Sequence, residues 1–349
     1  MLVNKKYWNT LSSAYNCSND FSARFILVRI DNNSGLAPSA TTVIVSITSL
    51  MMIWAVNFLA GKITLRYIPP VTLGTMRILG GATFMLLLAP FFRRLPVFRE
   101  QSRVSRSPFT WRDYWTFAYL GFFGFVVYQI CFTTGLRYTS VTHASFIVGM
   151  GPIYTLILAV LFRLEQATWR KAAGMGISLA GVAILATSTG MSPRSPTLLG
   201  DVITVCGSLG FAMWVVLGKR VAGKYDPITC TTWSFIFAAL FILPLIVHQV
   251  LAFGGLPAWL ALPWQAWAGV LFMTLFSSTL AYLIYLWLLR FVEASQLTAF
   301  SYLMPVAATA MSILFLGEPG TWPELLGGIL ALAGVYWVES ARVTPLRSN

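Results

Sequence analysis

Glu165 and Glu318 stand 153 positions apart, and each lies three residues ahead of a Thr-Trp pair. A carboxylate closing an apolar run could carry a proton. It also suits the positive end of the helix that follows, and this plainer role is preferred. Pro152 and Pro305 repeat the same offset. A proline in the middle of a helix removes a backbone hydrogen bond and clashes with the turn before it. Each proline therefore reads either as a gate that frees a carbonyl or as a static kink of the kind membrane helices tolerate.

Other reactive patterns are missing. The only histidines, His143 and His248, are 105 residues apart, so no H-E-x-x-H zinc site exists. There is no G-x-S-x-G elbow and no aspartate pair inside an apolar run. Gly61-Lys62, Gly218-Lys219 and Gly223-Lys224 each lack the residue a Walker A loop requires next. Cys17, Cys131, Cys206 and Cys230 form no C-x-x-C pair, which gives neither a disulfide framework nor a metal site. Gly174-Met175-Gly176 follows no strand and reads as helix packing. The expectation is no cofactor, no metal and no enzyme.

Asp20, Asp31, Asp113, Asp201 and Asp226 fall in the leader, loops or ends of apolar runs, as do the six glutamates. A membrane interior bare of carboxylates argues against a midplane proton relay. Arg77 reads as an anion contact or, preferably, as a cation snorkelling to the interface. Asn57, Tyr128, Gln129, Ser145, Tyr154, Trp214, Tyr282, Tyr285, Ser301 and Tyr302 are uncharged polar or aromatic residues inside apolar runs. Such groups must face other helices or a watery cavity. As a set they suit a cavity for an uncharged or zwitterionic small molecule with some apolar surface.

The elements that position them follow from composition. The 349 residues are 57% hydrophobic and 10% charged, far from the roughly 25% charge of soluble domains. Apolar runs at about 42–61, 71–92, 115–135, 143–162, 172–189, 199–218, 229–249, 267–289, 296–316 and 325–339 predict ten membrane-crossing helices. With a cytoplasmic N-terminus, 19 of the 24 basic residues fall inside. Lys62, Arg66, Arg77, Arg137 and Arg194 fall outside. The net charge of +13 is thus topological and implies no nucleic acid. Trp111, Trp115, Trp259, Trp264 and Trp267 read as an interfacial belt.

Residues 137–182 match 290–335 without a gap, with 12 identities in 46 positions. Five spans per copy is an odd number, so the second copy enters the lipid inverted. This is the recurrent build of alternating-access transporters.

W-x-x-N-F-x-x-x-K at Trp54–Lys62 resembles the opening of the EamA repeat of the drug/metabolite transporter superfamily. So do G-L-R-Y-T-S-V-T-H-A-S-F at Gly135–Phe146, Pro152, and L-F-R-L-E-Q-A-T-W at Leu161–Trp169, with a second set running from Leu289 to Trp322. Arg163-Leu164-Glu165 lacks the glycine usual before the glutamate, whereas Gly317-Glu318 keeps it. The resemblance implies ten helices, a cavity lined by spans one, three, four, six, eight and nine, and export of amino acids or other small metabolites.

The expectation is an all-α integral membrane protein made of two inverted five-helix EamA repeats. Residues 1–40 form a polar cytoplasmic leader, 41–190 and 198–340 the two repeats, and 341–349 a cytoplasmic tail. The partners expected are a small-molecule substrate and the lipid bilayer of the bacterial inner (plasma) membrane. A homodimer is left open. Rival readings are a facilitative permease or importer, a channel-like protein and an intramembrane enzyme.

Overall fold

In a computed structural model the apolar runs are helices. The structure describes residues 40–95, 109–162, 168–188, 196–221, 224–252, 261–291, 303–317 and 321–340, with Pro38, Phe98, Leu297 and Ser301. Glu165, Glu318, Trp259 and Tyr302 lie outside the described residues, as do the expected tail and nearly all of the expected leader.

The helices are α1 (Ala40–Thr64), α2 (Pro70–Phe92), α3 (Trp111–Tyr138), α4 (Val141–Gly149), α5 (Gly151–Leu161) and α6 (Trp169–Ser188). They continue as α7 (Pro196–Val221), α8 (Pro227–Ala252), α9 (Trp264–Leu288), α10 (Leu303–Met311, running on to Leu316) and α11 (Trp322–Ser340). Seven helical stretches, counting α4 with α5, are long and apolar enough to cross a bilayer. No strand occurs among the described residues.

Local sequence sets the ends. Asp226 takes the Thr229 amide at 2.9 Å and its hydroxyl at 2.6 Å, capping α8 where Pro227 opens it. At α3 the carboxylate lies inside the first turn, where Asp113 accepts from the amide and hydroxyl of the N-cap Thr110 at 2.7 and 2.6 Å. Gly317, with φ +65°, stops α10 in a left-handed turn that costs glycine little.

The duplication is visible in the helices. α3 and α9 begin 153 positions apart, and so do α6 and α11. Both α3 and α9 loosen into π-helix, over Phe122–Val127 and Met273–Leu280. The first of these stretches falls within the second at the same offset. Packing follows the same relation. α6 lies along α11 and α2 along α8, each against its own counterpart, while α1 meets α9 and α10, and α7 meets α3 and α5. Lys62, ending α1, donates to the carbonyls of Leu136 and Thr139 at the end of α3. Lys219, late in α7, donates to the Leu289 carbonyl just past α9 at 2.9 Å. Cations there satisfy carbonyls that a helix end leaves unpaired.

Leu86, Leu87 and Phe91 on α2 and Leu240, Phe241 and Leu243 on α8 point outward. Water would penalise such a belt, and lipid would not. Trp111, Trp115, Trp264 and Trp267 are exposed in the first turns of α3 and α9, as belt residues should be.

One expectation needs correcting. Pro152 does not interrupt a continuous helix. The span breaks at Met150, whose ψ of 7° ends α4, and Pro152 sits in the first turn of α5. There its missing N–H removes no helical bond.

Candidate functional site

Met51, Trp54, Asn57 and Phe58 recur at helical spacing on one face of α1 and form one wall of a cavity. Facing them are Tyr128 of α3, Val148 and Gly151 at the α4–α5 break, and Phe211 of α7. Tyr285 of α9, Leu297, Ser301 and Met304 of α10 complete the lining. The cavity thus lies among the spans that the resemblance implied. Its volume is about 20 Å³, room for about one water. The site is closed.

Aromatic rings do much of the closing. Trp54 packs on Phe211 and Tyr285 with centroids 5.6 Å away in each case, and Trp214 packs on Tyr282 at 4.8 Å and on Tyr285 at 5.4 Å. Tyr282 donates to the Gly124 carbonyl at 2.9 Å, and Trp54 Nε1 donates to the Ser277 carbonyl at 3.3 Å. Asn57 Oδ1, Trp214 Nε1 and Tyr285 Oη are buried without a hydrogen-bond partner. Buried polar groups are usually paired; Asn57 and Tyr285 line the space, with Trp214 behind them, so a solute there would find an acceptor and a hydroxyl to bond.

At the break the two proline-bearing segments touch. Ser301 donates to the Gly149 carbonyl at 3.3 Å. A Cβ on Gly149 would lie 3.2 Å from Pro305 Cγ.

Of the residues expected to line a pocket, Asn57, Tyr128, Tyr285 and Ser301 do so, and Trp214 and Tyr282 stand directly behind them. Three others are elsewhere. Ser145 bonds the Thr142 carbonyl within α4. Tyr154 packs in a separate cluster with Met150, Ile153 and Val216. Gln129 turns to Ser278, where Arg77 is found.

Arg77 does not snorkel. It is 1% exposed, and its Nε and Nη2 donate to Ser278 Oγ at 3.1 and 3.0 Å. The side chain lies across helices α2 and α9, which pack together and hold it from lipid and water. Asp201, expected at a span end, is also buried. It accepts from Thr139 Oγ1 at 2.5 Å and faces His143 Nδ1 at 3.1 Å. Nearby, Lys62, Arg66 and Arg137 surround a space of about 230 Å³ beside Leu65 and Leu316. Sequence spacing gave no sign that Asp201 and His143, 58 positions apart, would meet. The paired Gly-Lys steps at 61–62 and 218–219 were a signal for the lysine caps.

A polytopic helical membrane protein of two related halves, closed around a cavity where both halves contribute, is a transporter architecture. The chain belongs to the EamA-like transporter family, whose profile matches residues 41–187 and again 198–340. It is 25% identical to an uncharacterized transporter of Archaeoglobus fulgidus, over 83% of this chain and 95% of that one. It is 27% identical to the uncharacterized transporter YdfC of Bacillus subtilis, over 84% and 89%. A probable terminal-alkyne amino-acid exporter of Streptantibioticus cattleyicolor is 25% identical over 65% and 74%. A solved crystal structure shares the fold with a TM-score of 0.58 at 17% identity, covering 85% of this chain and 96% of that one.

Proposed function

We propose that this protein is a secondary transporter of the inner (plasma) membrane that exports small organic metabolites such as amino acids by alternating access. Ten spans cross the lipid, five in each repeat, with the second repeat inverted and both termini cytoplasmic. The observation that carries this reading is the closed cavity between the halves, lined by Asn57 and Tyr285, which hold unpaired polar atoms. A closed intermediate with unsatisfied donors and acceptors fits a site that opens to each side in turn. The resemblance to an amino-acid exporter supports the substrate class.

Alternating access needs a joint, and Gly149, Met150 and Pro152 provide one where α4 and α10 meet. The test is flux of labelled amino acids from proteoliposomes holding the purified protein. Release above protein-free vesicles is expected for at least one amino acid. Asn57→Leu, which fills the cavity, should cut that release roughly tenfold or more, the effect of losing about 1.4 kcal/mol or more of site free energy. Release of no panel member would sink the reading.

A further inference from the structure

Arg77 carries more charge than its surroundings answer. A guanidinium has five N–H donors and no acceptor. Here Nε and Nη2 share one neutral hydroxyl, Ser278 Oγ, which Gln129 Nε2 also approaches at 3.0 Å. Nη1 is buried with no hydrogen-bond partner. Among the described residues, no carboxylate forms an ion pair with it. A cation in this position is costly unless something compensates it.

The fold does not need this charge. The counterpart crossing in the other half is built from Ser234, Phe125 and Tyr282. Ser234 is the eighth residue of α8, as Arg77 is the eighth of α2, and its hydroxyl donates to the Cys230 carbonyl of its own helix at 2.6 Å. Phe125 and Tyr282 are the 153-offset partners of Ser278 and Gln129. The two rings pack directly at 4.6 Å, and Phe125 also packs on Phe235, next to Ser234, at 3.9 Å. Equivalent helices therefore close over two rings and a serine bonded to its own helix on one side, and over a guanidinium, an amide and a hydroxyl on the other.

Arg77 is also one ring away from the cavity. Its Cζ lies 5.6 Å from the Phe132 ring, and Phe132 packs on the cavity residues Phe58 and Tyr128 at 5.2 and 5.7 Å. The basic space formed by Lys62, Arg66 and Arg137 would draw an anion toward this half of the molecule.

We propose that Arg77 recognises the carboxylate of the transported solute, which is accordingly a small acid such as an amino acid. Nη1 takes the carboxylate when Phe132 and Tyr128 move aside. Arg suits this task because its planar fork matches a carboxylate. The inference rests on the transporter reading above.

The test is thermal stabilisation of the purified full-length protein in detergent by common amino acids and by their amides, which keep the side chain and lose the carboxylate. At least one amino acid should raise the Tm of the wild type while its amide does not. Arg77→Gln should weaken that amino acid roughly tenfold or more. Ser278→Ala, which releases further donors of Arg77, should retain the acid-over-amide preference, whereas a purely interhelical role for Arg77 predicts no preference to retain. Should Arg77→Gln fail to fold, Arg77→Lys keeps the charge without the fork and should bind the acid more weakly than wild type. The proposal is overturned if acids and amides stabilise equally, if neither does, or if the folded Arg77 variant binds the acid as wild type does. Flux separates the two readings. Amino-acid release that ignores Arg77→Gln leaves transport standing and removes this proposal, whereas an Arg77-dependent Tm shift without any flux removes transport and leaves an acid site.

Discussion

Gly149 is where closure can be pushed. A Cβ built on it lies 3.2 Å from Pro305 Cγ and 3.5 Å from Pro305 Cδ, so alanine needs the neighbour to give by tenths of an ångström. Leucine drives three more carbons into the same gap. Overpacking of this kind costs about 1–3 kcal/mol, and it acts on the arrangement in which α4 and α10 touch. At about 1.4 kcal/mol per tenfold, the closed population falls by about 5- to 150-fold relative to an open one. The assay is the maleimide labelling rate of an Asn57→Cys reporter in detergent, with Cys17, Cys131, Cys206 and Cys230 replaced. In the parent, a space of about 20 Å³ excludes the reagent. Labelling should quicken modestly with Gly149→Ala and by 5-fold to about 150-fold with Gly149→Leu. Gly176→Ala is the control, because nothing lies within 4 Å of its Cβ position and it does not line the cavity. If folded Gly149→Leu protein labels at the parent rate, the contact between these segments does not hold the cavity shut and the joint is misassigned.

Three further outcomes are expected. Gly334→Ala puts a Cβ 2.5 Å from Gly174 O and Ser178 N, so α6 and α11 must separate at a cost of about 1–3 kcal/mol or more. Gly176→Ala, on the same helix pair with open space around it, should be neutral or stabilising, and fluorescence-detected thermal unfolding in detergent compares the two. Asp201→Ala removes the acceptor of Thr139 and the partner of His143, and should lower the Tm by the equivalent of about 1–3 kcal/mol, with Asp201→Asn recovering part of it. Cysteines at Lys171 and Arg290 should both be shielded from a membrane-impermeant reagent in intact cells. Labelling of either from outside would contradict the inverted arrangement.

Composition and periodicity determined the coarse architecture, because lipid admits few solutions. Long runs without charge have to satisfy their backbone internally, and a helix does so regardless of its neighbours. The helices therefore fall within a few residues of the apolar runs, and the Thr-Trp repeats mark where α6 and α11 begin. A constant offset marked α6 and α11 as copies of one another, but that these two pack together, and α2 with α8, came from the structure.

Side-chain partnerships were another matter. Asn57 and Tyr285 could be listed as polar residues in apolar runs, yet nothing local distinguished them from Ser145, which spends its hydroxyl on its own helix. Arg77 read as a snorkelling cation because it lies near the outer end of the apolar run at about 71–92. Only the tertiary structure decided otherwise. α9, some two hundred positions away, covers the route outward and offers Ser278 instead. Asp201 and His143 are likewise joined by the crossing of helices rather than by spacing. Sequence periodicity decides which face of a helix avoids lipid, but which charge meets which hydroxyl on that face depends on the angle and depth at which two helices pack.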